Sequence, residues 1–175
     1  MLKICEAAAK EGLPVYFFGT NRATLDQLVR NLSEKFPTLI VAGSEPSQFR
    51  QLTKQESEDL ATRIKSSGAR ITFAGLGCPR QEVWAYEMGD ALHMPVFAVG
   101  AAFAFHAGTL PQAPSWMQKS GLEWVFRLIS EPKRLWRRYV YLNPAYLFLL
   151  GLQYVGLRRV DPDKDLPPKT HMLYG

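Results

Sequence analysis

Residues 70–82 read RITFAGLGCPRQE, an apolar run that stops at a Gly-x-Gly turn and reopens on a proline. β-Branched and aromatic residues followed by glycine suit a buried strand and its exit turn. A proline after such a turn is tolerated as the first residue of a helix, where no N–H is required. The stretch therefore reads as strand, turn and helix in succession. Three further apolar runs bounded by glycine or proline lie at residues 13–18, 38–42 and 95–99, with segments of helical composition at 22–35, 53–67 and 79–92. That alternation predicts β-α-β units and an α/β fold, a Rossmann-like, mainly parallel sheet with helices on both faces.

After Gly100 the pattern changes. Residues 101–117, AAFAFHAGTLPQAPSWM, read as a loop, and helical segments follow near 115–130, 132–142 and 144–157, with Pro132 and Pro144 at helix starts. The expected organisation is a Rossmann-like core over residues 1–117, a basic and aromatic helical appendage over 118–159, and a flexible, proline-rich tail over 160–175.

The charge follows the same division. The chain of 175 residues carries a formal +5, but residues 118–159 hold eight lysines and arginines against Glu123 and Glu131, a local +6 on a nearly neutral body. Such a segment points to a phosphate-bearing ligand or an anionic membrane surface. Arg127, Arg134, Arg137 and Arg138 are spaced so that a helix returns them to nearly one face, and Trp124, Phe126, Trp136 and Tyr139 are interleaved with them. A nucleic-acid partner is not expected, because no RNA- or DNA-binding motif accompanies the basic segment.

Cys5 and Cys78 form neither a disulfide framework nor metal-ligand spacing, and His93, His106 and His171 stand apart from one another. His106, between Phe105 and Ala107, reads as a packed histidine rather than a base. The Asp-x-Asp pairs present, Asp161-Pro162-Asp163 and Asp163-Lys164-Asp165, fall in the proline-rich tail rather than after an apolar run, so a metal-bridged diphosphate is not expected and the reading is metal-independent, with no cofactor. The first residues, MLKICEAAAKEG, suit an amphipathic helix rather than a signal peptide, because the apolar stretch is short and contains Glu6. The apolar segment 145–157 is too short to span a bilayer; it suits a helix lying in the interface or buried against protein.

The candidate ligand turns follow the runs. Gly75 and Gly77 allow close approach to the backbone before Pro79, Arg80, Gln81 and Glu82 open a helix whose free N–H groups suit an anion. Gly19, Thr20 and Asn21 follow the first run, where Thr20 or Asn21 also suits a helix cap. Gly100 and Ala101 follow the fourth, at the end of the sheet where open α/β folds bind ligands.

Taken together, several of these stretches resemble one family. The pattern Gly-Leu-Glu-Trp at 121–124, Arg127-Leu128, Glu131-Pro132 and RLWRRY at 134–139 is similar to the C-terminal signature of the WecG/TagA/CpsF glycosyltransferases, family 26. Pro79-Arg80-Gln81-Glu82 resembles that family's Pro-Lys-Gln-Glu, and Gly100-Ala101-Ala102-Phe103 its Gly-Ala-Ala-Phe. Ala104 stands where the family often has aspartate, and Gln112 where it has arginine. The resemblance implies an inverting transfer from a UDP-sugar, such as UDP-N-acetylmannosamine or a uronic acid donor, to an undecaprenyl-diphosphate-linked acceptor. The protein would be cytoplasmic and peripheral at the inner face of the bacterial plasma membrane, bound to anionic lipid through its C-terminal helices. It implies substrate contacts from Gly19, Gly75, Gly77, Pro79, Gln81, Glu82, Gly100, Ala101 and Ala104, and from Arg127, Arg134, Arg137 and Arg138 in an appendage that closes over the site. It places the aspartate proposed as general base in an N-terminal region ahead of the first residue here, so the catalytic residue stays unassigned. The alternative expectation is a non-catalytic relative that binds nucleotide or anionic lipid.

Overall fold

Val15 to Gly19 is buried at every position, as a strand must be when helices cover both faces of its sheet. The computed structural model describes residues 1–130, 132–137, 140–141 and 143–157, with the backbone alone for Lys133, Arg134 and Arg137. Two units are distinguished, one from Met1 to Pro111 and one beginning at Gln112.

The first unit runs α1 (Leu2–Glu11), β1 (Val15–Gly19), α2 (Arg22–Lys35), β2 (Val41–Glu45), α3 (Lys54–Ser66), β3 (Ile71–Gly75), α4 (Arg80–Leu92), β4 (Val96–Ala98) and α5 (Ala102–Ala107). The four strands are parallel and stand in the order β2-β1-β3-β4. This is the expected α/β architecture. From β1 the chain winds to β2 on one side and, after α3, returns to build β3 and β4 on the other. The order reverses between β1 and β3, which makes that gap the topological switch point.

Alternation along β1 divides the core. Val15 and Phe17 face a cluster with Cys5 and Ala8 of α1, Leu25, Leu28 and Leu32 of α2, and Phe103 and Ala107 of α5. Tyr16 and Phe18 face Leu60 and Ile64 of α3 and Trp84, Met88 and Leu92 of α4. Register puts Phe17 beside Phe73 and Phe73 beside Phe97. The rings follow, with centroids 5.4 and 5.7 Å apart, and Phe103 meets Phe17 edge-on at 5.9 Å. One aromatic row thus ties three strands and α5 together.

Four expectations need correction. The second strand is Val41–Glu45 rather than residues 38–42, because the chain leaving α2 first closes a turn with Leu39 N–H on Phe36 O at 2.9 Å and meets β1 only from Ile40, whose O accepts from Val15 N–H at 2.8 Å. Residues 101–117 are not a loop throughout: α5 forms at Ala102–Ala107 because Phe103 and Ala107 are buried and Asn31 Nδ2 of α2 donates to His106 O at 2.8 Å. Pro79 is the cap of α4 rather than its first helical residue. The fourth concerns the appendage, where residues 115–130 form two helices, α6 (Ser115–Lys119) and α7 (Glu123–Ser130), parted at Gly121 with φ 69°.

α8 (Pro132–Arg137) and α9 (Asn143–Tyr154) complete the second unit. Pro132 does open a helix, as expected. Of the arginines expected on one helical face, Arg127 belongs to α7 and Arg134 and Arg137 share α8, while Arg138, like Glu131 between the two helices, lies outside the described residues. α9 has no charged residue and is exposed along its length, from Leu147 and Phe148 to Tyr154 at 92%. Among the described residues no helix is long and apolar enough to cross a membrane.

Candidate functional site

The expected turns meet at the C-terminal ends of β1, β3 and β4. Gly19 has φ 134°, and a Cβ there would overlap the backbone of Gly75 on the neighbouring strand. Thr20 N–H then donates to Gly75 O at 3.0 Å, so the exits of β1 and β3 are stitched across the switch point. Gly75 in turn lies under the Phe103 ring, where any Cβ would collide. α5 therefore seats on the sheet only because this strand ends in glycine.

Gln81 is the polar centre of this cluster. It is 7% exposed, and Nε2 donates to Glu82 Oε1 at 2.9 Å. A carboxylate only accepts, which fixes the amide's orientation and leaves Oε1 turned toward the Gly100 backbone. A Cβ on Gly100 would stand 3.0 Å from that oxygen. Gln81 Oε1 is buried without a hydrogen-bond partner, and so is Trp84 Nε1 one turn further along α4. Leaving a buried acceptor unpaired costs about 1–3 kcal/mol, so this oxygen is open to an N–H or O–H donor.

Gly77, with φ 82° and open space where its side chain would be, leaves the start of α4 accessible. Glu82 occupies the first turn of that helix and already complements its positive end. Free-anion binding at α4 alone is therefore weaker than the turn sequence suggests. Cations are nevertheless close: Arg22 opens α2 and Arg80 opens α4, on the two sides of the switch point. Arg22 holds the end of β2 through Ser44 O at 3.3 Å, and Arg80 holds the segment after it through Phe49 O at 3.5 Å. Asn21 caps α2 by accepting from Thr24 N–H at 2.9 Å, which settles the choice between Thr20 and Asn21. Thr20 is instead held at φ 48°, a left-handed conformation rare for a β-branched residue and typical of binding sites when it does occur.

A glycosyltransferase model for the WecG/TagA/CpsF family matches residues 1–160. The chain belongs to that family. WecG/TagA/CpsF members are glycosyltransferases of cell-surface polysaccharide biosynthesis, and their reaction joins a sugar donor to a lipid-linked acceptor. In this member of the WecG/TagA/CpsF family, Gly19, Gly75, Gly77, Pro79, Gln81, Glu82, Gly100 and Ala101 gather at one end of the sheet, and Ala104 sits on α5. Arg127, Arg134 and Arg137 belong to the second unit, and Arg127 is ion-paired within α7 to Glu123, its Nε donating at 3.0 Å. Phe49, Trp84 and the carbonyl-holding role of Arg22 and Arg80 were not read from the sequence, and Thr20 was read only as part of its turn or as a cap. Phe49 did carry a signal, as a lone aromatic in the polar stretch from Pro46 to Thr53.

His106 is partly buried on α5, and burial lowers its pKa, so the neutral ring is favoured. The two thiols differ more. Cys5 is fully buried and its thiol is pushed up to about 11, whereas Cys78 is exposed in the turn beside Gly77. At pH 8 an aromatic disulfide reagent is expected to titrate one thiol quickly in the native protein and the second only in denaturant. Cys78→Ser should remove the fast phase; a fast phase surviving in that variant would contradict the burial of Cys5.

Proposed function

We propose that the protein transfers a sugar of the N-acetylmannosamine or uronic acid type from a UDP-sugar to an undecaprenyl-diphosphate-linked acceptor, with inversion, on the inner face of the bacterial plasma membrane. The observation that carries the donor site is Gln81, whose buried, unpartnered oxygen faces Gly100 where three strand exits converge. That oxygen accepts from a donor hydroxyl or amide. The pocket's glycines let the ligand approach the backbone without a side chain between them.

When the glycosidic bond to the diphosphate breaks, negative charge grows on the departing UDP. Arginines stabilise it better than lysines, since a guanidinium meets two phosphate oxygens at once. Arg127, Arg134, Arg137 and Arg138 take that role here, in place of a metal. The proton of the acceptor hydroxyl goes to a base that is not assigned to any residue of this chain.

α9 supports membrane attachment. Twelve residues rise about 18 Å, short of the roughly 30 Å hydrocarbon core, and their exposed apolar and tyrosine side chains suit the headgroup boundary. The test is sugar transfer from labelled UDP-sugar to a polyprenyl-diphosphate-linked acceptor held in anionic vesicles. Label is expected in the lipid phase, and Leu147→Glu with Leu150→Glu should cut both vesicle co-sedimentation and transfer by more than tenfold. A folded protein that binds UDP but transfers no label would favour the non-catalytic alternative instead.

A further inference from the structure

Resting on the donor-site reading above, we infer that Phe49 is the platform on which the nucleobase of the donor stacks. Phe49 is 60% exposed and its backbone sits at φ 55°. A bulky side chain in that region is a true outlier and costs of order 1–3 kcal/mol. Burial does not compensate for it, because the ring is not part of either core cluster.

The conformation is nevertheless imposed from several sides. Phe49 N–H donates to Ser47 Oγ at 3.0 Å, and Phe49 O accepts from Arg80 Nη1 of α4. Ser47 N–H donates to Thr20 O at 2.9 Å, which ties the segment to the exit of β1. Just beyond, Arg50 is ion-paired with Glu56, and Glu56 also completes the capping box of α3 with Thr53. The arginine and the cap hold the Glu56 carboxyl down at about 2, so this anchor stays charged throughout the neutral range. Thr20, the other strained residue of the crevice, is the partner at the far end of the Ser47 bond.

A segment fixed to both walls of the switch point thus presents a solvent-exposed aromatic ring at the rim. An aromatic face of this kind is what a nucleobase stacks on. The diphosphate and sugar would then extend from that rim toward Gly77 and Gln81. This assigns Phe49 to the nucleoside and leaves Gln81 for the group nearer the transferred sugar.

Calorimetric titrations of UDP and of inorganic pyrophosphate into wild type, Phe49→Ala, Phe49→Trp and Phe49→Gly test the assignment. Phe49→Ala is expected to weaken UDP binding about tenfold or more and leave pyrophosphate binding unchanged, while Phe49→Trp keeps UDP affinity. Phe49→Gly, which relieves the positive φ, should lose UDP affinity like alanine yet raise the thermal midpoint. Wild-type binding of UDP matched by Phe49→Ala would overturn the stacking role and leave the donor site standing. Equal loss of UDP and pyrophosphate would mean the ring acts by holding the segment, which also overturns it. No UDP binding by folded wild type would remove the donor-site reading and this inference together.

Discussion

Gly19→Ala is expected to destabilise the protein by about 3 kcal/mol, combining roughly 1–2 kcal/mol for a side chain held at positive φ with 1–3 for overpacking. Both costs arise at one atom. The new Cβ meets the backbone of Gly75, and neither partner is a flexible side-chain end that can swing away. Moving β1 to make room would break the Thr20 N–H to Gly75 O bond and shift Phe17 against Phe73. Equilibrium urea unfolding measures the loss, and a change below about 1 kcal/mol would contradict the close crossing of the two strand exits. Gly12→Ala offers a control: that glycine is also at positive φ, but its Cβ would meet nothing, so only the conformational part of the cost should appear.

The second large effect is on catalysis. Arg134→Glu combined with Arg137→Glu is expected to lower transfer from a UDP-sugar by about a thousandfold or more, since each removed donor to a developing anion is typically worth 10²- to 10³-fold. The pair is chosen because both lie on α8, whereas Arg127 already has Glu123 as a partner on α7. Reversal adds repulsion between two carboxylates and a diphosphate to the loss of two guanidinium groups. Circular dichroism should be unchanged, and steady-state transfer assays give the rate; activity within tenfold of wild type would remove these arginines from leaving-group stabilisation.

What the sequence revealed depended on how much of each signal is local. β1 and β3 were legible because burial on both faces makes nearly every residue apolar, β-branched or aromatic, with Thr72 the one buried threonine of β3, leaving a run that ends in glycine. β2 is an edge strand of partly buried residues, VAGSE, so its run is weak and the more apolar residues just before it drew the boundary three residues early. α5 was missed because six residues of alanine, phenylalanine and histidine carry little helical signal of their own. Its helix depends on Phe103 passing over Gly75 and on the Asn31 bond, both contacts distant in sequence. The site follows the same rule. Its glycine turns could be read from strand-turn-helix punctuation and Gln81 from the resemblance of its tetrad to the family's, but the contacts of Thr20, Arg22, Arg80 and Phe49 require knowing that β1 lies between β2 and β3. Strand order is a property of the assembled sheet, and no local pattern encodes it.

The most direct test of the central claim, that the switch-point crevice takes a UDP-sugar through Gln81, is a calorimetric titration of UDP and UDP-sugar into wild type and Gln81→Met. Methionine keeps the volume and removes the unpaired oxygen, so the variant should fold at least as stably as wild type. The account predicts that wild type binds and that the variant binds the UDP-sugar at least tenfold more weakly. Equal affinity in the two proteins, or no binding by folded wild type, would contradict it.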